Sequence, residues 1–192
     1  MLPTVDPTLL YTSSNIFQAS TSSKPPQHLS QILSSSPIMP LTPTQLSLID
    51  AASRTIEAVP RGSPPRNTDH TVGSAALCSD GRIFTGINMF HFSGGPCAEN
   101  TAVANATAAG VGSALSPGVG DSTRLTTIVA VANENRGVIS PCGRCRQMMF
   151  DYYPDIQVII KDGEGLRTAG IPELLPFGYV TRKFTVIDAR KA

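Results

Sequence analysis

The sequence predicts a three-layer α/β/α sandwich on a mixed sheet of about five strands. Three observations carry this. Periodic segments follow the order α-β-β-α-β-α-β from residue 41 onward, an alternation that packs helices on both faces of a sheet. Asp80-Gly81 and Asp162-Gly163 sit beside β-rich runs as turn signals. Two segments, "PCAEN" and "PCGRC", put proline and cysteine at the start of a helix-forming run.

Residues 1–38 are rich in Ser, Pro and Gln and lack periodicity. Such a stretch buries too little apolar surface to offset chain entropy. It reads as a disordered leader, with the folded domain at 39–192. From Leu41 the pattern changes. "LTPTQLSLIDAASRTIEAV" opens on a Thr cap and places Leu46, Ile49, Ala52, Ser53, Ile56 and Val59 at three- and four-residue spacings, one apolar helix face. "TVGSAALCS" reads as a buried strand, Asp80-Gly81 as a two-residue hairpin turn, and "RIFTGINMF" as the returning strand. The alanine-rich run after Cys97 reads as a helix ending at Gly110. "RLTTIVAVAN" is strongly β-branched, a strand. "PCGRCRQMMFDYYP" is a helix stopped by Pro154, "DIQVIIKD" a strand, and "IPELLP" a short helical turn.

Composition excludes several classes. A 41% hydrophobic content suits one globular domain with a real core, and a net charge of +1 offers no field to attract nucleic acid or an anionic membrane. No apolar run approaches the ~20 residues of a membrane span. The N-terminus shows no basic region followed by an apolar core, so a cytoplasmic protein is expected.

Four cysteines remain: Cys78, Cys97, Cys142 and Cys145. The C-x-x-C spacing suits a redox pair, half of a structural zinc site, or a catalytic metal. Cys97 and Cys142 each follow a proline at a helix start, where free N–H groups and the dipole favour anions and lower a thiol's pKa. Cys142 and Cys145 lie three apart on one helix face. Three thiolates leaving one position open form a catalytic zinc arrangement, whereas structural sites fill all four. Glu99, two residues after Cys97, suits a proton-transferring carboxylate beside the metal. Cys78 reads as a small buried apolar residue.

These motifs identify a resemblance. Residues 39–180 resemble the cytidine deaminase superfamily, and within it the fungal blasticidin-S deaminase branch, through "SAALCSDGRIFTGINMFHFSGGPCAE", "VANENRGVISPCGRCRQ", "IIKDGEG" and "ELLPFGYV". The resemblance implies zinc on Cys97, Cys142 and Cys145, Glu99 as proton shuttle, hydrolytic release of ammonia from a cytosine ring, and a homotetramer. It also implies substrate contacts by Thr71, Asn88, Arg136 and Tyr179. For Arg136 the alternative is a solvated loop residue, and for Tyr179 packing at a subunit contact. Nucleoside deaminases of the family commonly carry Asn-x-Glu before the zinc helix to hold ribose; here Asn88 is present and the glutamate position is Phe90. The expected substrate is therefore a small cytosine nucleoside other than a riboside, with blasticidin S favoured. Cytidine or deoxycytidine salvage is the alternative, and an inactive zinc-stabilised protein a third reading. Some relatives offset the charge of three thiolates with an arginine directly after the glutamate. Here that residue is Asn100, and Arg144 is the expected substitute.

Overall fold

The computed structural model describes residues 40–180 apart from positions 65, 67–69, 116–117 and 164. The expected leader at 1–38 lies outside the described residues. The first helix, α1 (Pro43–Glu57), starts at Thr42 with a capping box: Thr42 Oγ1 accepts from the Gln45 N–H, and Gln45 Oε1 accepts from the Thr42 N–H. Its buried face is Leu48, Ala52 and Ile56, an i, i+4 stripe. Leu46, expected on that face, is half-exposed. Ile49 and Ala51 pack only partly buried beside that stripe.

Six strands follow, one more than expected. They are β1 (Val72–Cys78), β2 (Ile83–Ile87), β3 (Leu125–Ala132), β4 (Gly137–Ile139), β5 (Gln157–Asp162) and β6 (Gly165–Gly170). The order is β2-β1-β3-β5-β6, with β4 paired to the far end of β3. Only β3 and β5 run parallel; the other pairs are antiparallel. The tight two-residue hairpin is the one at Gly163, since Asp162 pairs with Gly165. The Asp80-Gly81 connection is longer: Leu77 pairs with Ile83, and the Cys78 N–H bonds the Arg82 carbonyl at 2.8 Å.

The remaining helices are α2 (Ala98–Ala108), α3 (Gly143–Tyr152) and the short α4 (Ile171–Leu174). Strand alternation divides the core in two. Ala75, Val129, Val131 and Ile159 face α1 with Leu48 and Ala52. Ala76, Cys78, Ile128, Val158 and Ile160 pack with Ala102, Ala106 and Met149 of α2 and α3. Helix α2 lies so close to β2 that a Cβ on Gly86 would sit 2.4 Å from the Ala102 nitrogen. That seat, and the parallel β3–α3–β5 crossover, bring the starts of α2 and α3 together.

Candidate active site

Cys97 is the N-cap of α2 and Cys142 the N-cap of α3, both extended (ψ 160° and 167°) and neither capping through its side chain. The prolines therefore stand one residue before the caps, and the sulfurs are left to face each other. Cys97 Sγ lies 3.6 Å from Cys142 Sγ, which lies 3.6 Å from Cys145 Sγ, and all three fall within 4.8 Å of one another. Tetrahedral zinc with ~2.3 Å bonds to sulfur spaces its ligands about 3.8 Å apart, so the trio fits such an ion. Cys78 is buried in the core and stands apart from this group.

The thiols differ in their surroundings. Burial alone would raise the Cys142 thiol, but the Cys145 backbone N–H and the two neighbouring thiols outweigh it and hold Cys142 below its ordinary value. Burial pushes Cys97 up, with Cys142 adding to the rise. Burial also drives Cys145 far up, reinforced by Glu99 and the other two thiols. The expectation that every thiol here is acidic thus holds for Cys142 alone. Desolvation and crowding of like groups defeat the helix starts at the other two, so a cation must displace their protons.

Glu99 is 5% exposed on the first turn of α2. Burial raises its carboxyl above the ordinary range, while its own backbone N–H, the Cys145 thiol and Arg144 pull it back. Arg144 reaches from α3 to the Gly95 carbonyl at 2.8 Å and approaches Cys97 Sγ at 3.9 Å.

A cavity of about 310 Å³ opens beside the trio, lined by Cys97, Glu99 and Cys142 together with Asn88, Met89, Phe90 and His91. Residues 89–96 close over it as a tight loop, in which the Met89 N–H bonds the Pro96 carbonyl at 3.0 Å. A Cβ on Gly95 would lie 1.7 Å from the Met89 carbonyl oxygen, so the loop needs glycine there. Val72, Ile139 and Ser140 also border this space. Sequence reasoning missed Met89, Ile139 and Ser140, although Ser140 directly precedes the second cysteine motif.

The structure brings some predicted contacts to the cavity and not others. Asn88 lines it, but its Oδ1 accepts from the Thr71 and Val72 N–H groups at 2.8 Å each, and its Nδ2 donates to Thr71 Oγ1 at 3.3 Å. Thr71 and Arg136 lie behind it. The Arg136 guanidinium donates to the Asn133 carbonyl and Oδ1 (3.2 and 2.9 Å) and to the Thr71 carbonyl at 3.4 Å. Tyr179 lies away from this cavity with an exposed side chain, its backbone held by Gln147, which donates to its carbonyl (2.8 Å) and accepts from its N–H (3.0 Å).

The family model for the cytidine and deoxycytidylate deaminase zinc-binding region matches residues 50–160. The chain belongs to this family. It is a hydrolytic deaminase, zinc-dependent as the family is. A blasticidin-S deaminase of Bacillus cereus is 34% identical over 119 residues, covering 57% of this chain and 77% of that one. A cytidine deaminase of Halalkalibacterium halodurans is 32% identical over 109 residues, covering 55% and 74%. Among solved structures, the cytidine deaminase of Burkholderia pseudomallei superposes with a TM-score of 0.54 at 29% identity, covering 72% of this chain and 100% of that one. Zinc suits the Cys97, Cys142 and Cys145 group on donor chemistry as well as spacing, since thiolates are soft ligands. Among the described residues, no helix is long and apolar enough to cross a membrane.

Proposed function

We propose that this deaminase acts on the cytosine ring of a small nucleoside-type substrate whose sugar is not ribose, with blasticidin S favoured over cytidine. Cys97, Cys142 and Cys145 hold the zinc in this reading. When bound, it supplies a Lewis acid that makes water a competent nucleophile near neutral pH. Glu99 takes one proton from that water to the ring nitrogen beside the reacting carbon as the water's oxygen bonds to that carbon, and then takes the oxygen's second proton to the departing amine. The C–N bond breaks and ammonia leaves. Burial that raises the Glu99 carboxyl suits a group that must both accept and release a proton.

The single observation behind the substrate preference is the hydrogen-bond balance around Asn88 in the cavity lining. Asn88 has spent its acceptor on two backbone N–H groups and keeps one N–H to give. Phe90 and Met89 beside it offer no side-chain oxygen. A sugar hydroxyl that must donate finds no acceptor in these three side chains, and sites built for a hydroxyl discriminate by ~10⁴-fold or more against analogues lacking it. The unsaturated sugar acid of blasticidin S presents acceptors instead. The likeness to the Bacillus cereus enzyme supports the same reading. Thr71 then serves the substrate through Asn88, which it fixes in place, and Arg136 acts one step further back by holding the Thr71 carbonyl.

A homotetramer is part of this proposal. Phe92, Phe177 and Tyr179 are 92%, 96% and 73% exposed, more apolar surface than an isolated subunit gains from showing. In such an assembly Tyr179 meets the site of a neighbouring copy. Thiolate ligands also favour the reducing cytoplasm.

The test is to follow the ultraviolet change as the amine leaves blasticidin S and cytidine, using zinc-loaded protein. Faster turnover of blasticidin S is expected; faster turnover of cytidine assigns the enzyme to pyrimidine salvage. Glu99→Gln should abolish turnover and retain zinc, and loss of zinc instead would make Glu99 a ligand. Sedimentation of the same sample should give four subunits, and a monomer would remove the role given to Tyr179.

A further inference from the structure

The two helix starts exchange side chains. From α3, Arg144 crosses to Cys97 of α2 (3.9 Å); from α2, Asn100 crosses to Cys145 of α3 (3.5 Å from Oδ1 to Sγ). In the zinc reading the Arg144 contact would offset the charge of three thiolates, and the Asn100 contact is its counterpart. We propose that Asn100 is a positioning residue of the metal site, its side-chain N–H donating to the Cys145 thiolate when the ion is held. The inference rests on the zinc reading above.

Burial makes Cys145 the sulfur that needs such a donor. Cys142 is exposed and Cys97 only partly buried, so water can serve them; Cys145 is 0% exposed. The Cys145 backbone N–H is directed to Cys142. Glu99, the other polar group against Cys145, is an acceptor when ionised. A buried anion without a hydrogen bond is costly. The Cys145 sulfur and the Asn100 carboxamide lie in hydrogen-bond contact. A metal-bound sulfur has no proton to give. The two ends of a carboxamide have nearly the same shape, so a half-turn presents the NH₂ group at the same distance. Asn100 thereby gives the zinc-held sulfur a donor within its reach. A neutral donor also leaves the thiolate trio with the charge correction of Arg144 alone.

Zinc affinity by competition with a chromophoric chelator, together with the thiolate-to-metal charge-transfer band of the cobalt-substituted protein, tests this. Asn100→Leu keeps the branching of the side chain and removes the amide, and Asn100→Ala serves if the larger leucine does not fold. Supporting-shell losses at metal sites typically cost about 10–100-fold in affinity, and that fall is expected here. The band should move to longer wavelength, because a thiolate without its hydrogen bond gives up electrons more readily. A folded variant with wild-type affinity and an unmoved band overturns the role of Asn100 and leaves the zinc site standing. Absence of the band in wild-type protein overturns the zinc reading itself, and this inference with it.

Discussion

Asn88 shows how one residue can be visible in the sequence while its role is not. Its place before the first cysteine motif marks it as a cavity residue, and it borders the cavity. What the sequence hides is that Thr71 and Val72, 17 and 16 positions away, use up its oxygen. Asn88→Ala should therefore cost stability as well as activity. Leaving these part-buried N–H groups unpaired costs about 1–3 kcal/mol, or roughly 2–12 °C of melting temperature for a domain this size. A variant that loses activity at an unchanged melting temperature would make Asn88 a substrate contact alone. Glu134 poses the opposite problem. It and Asn135 have φ of 57° and 59° in the turn joining β3 to β4, a conformation that Asn tolerates and a long side chain does not favour. Arg136 spans this turn through Asn133. Glu134→Asn should raise stability by about 0.5–1 kcal/mol, by analogy with other relief of backbone restriction. A drop in melting temperature would mean that the ion pair of Arg61 with Glu134, at 3.7 Å, outweighs the relief.

Elements with a strong period or a strong start signal were legible, and those defined by a partner were not. Helices α2 and α3 announce themselves through proline, cysteine and a helix-forming run, and β3 through eight residues of largely β-branched and small apolar chain. Strand β4 has three residues, too few for any period, and exists because Ala130, Val131 and Ala132 offer it an edge. Strand β6, "GLRTAG", has low strand propensity and forms because the Gly163 turn folds it back onto β5. Between elements, Arg82 ties the β1–β2 turn to the loop after α2: it donates to Asp80 Oδ2 (2.6 Å), Asp121 Oδ2 (3.0 Å) and the Ala109 carbonyl (3.3 Å). Asp80 is held below its ordinary value first by the Arg82 backbone N–H and then by the guanidinium; Asp121 is held down first by Thr123 and then by Arg82. A carboxylate lowered in the folded state contributes stability above its unfolded pKa of 3.8 and loses it as pH falls through the folded value. Arg82→Met should thus be less stable than wild type by a small, constant margin at neutral pH, narrowing below pH 3.8. The groups are exposed, so salt should shrink the margin too. Acid titrations that run parallel down to full protonation would deny the network any role.

At the scale of the whole molecule, the near-neutral charge and the single zinc-family domain were legible, and the distances that let sulfurs 45 residues apart share an ion were not. Those distances imply that the metal is also a cross-link. Helix α2 is seated on β2 through Gly86, and α3 follows β3 and precedes β5 in the parallel crossover; the sulfurs, Asn100 and Arg144 join their first turns. An ion that binds only the folded chain stabilises it by about 2.7 kcal/mol when present at 100 times its dissociation constant. For a domain of this size that is roughly 5–11 °C of melting temperature. Binding must also displace the protons that burial holds on Cys97 and Cys145. The zinc-dependent gain should therefore shrink as pH falls, because protons compete for the same sulfurs. Melting curves with added zinc and with a chelator, taken across a pH series, measure both effects. Equal melting temperatures in zinc and chelator at neutral pH would show that the trio does not hold the ion in the folded state, and a gain that stays constant with pH would show that the ligands are not these thiols.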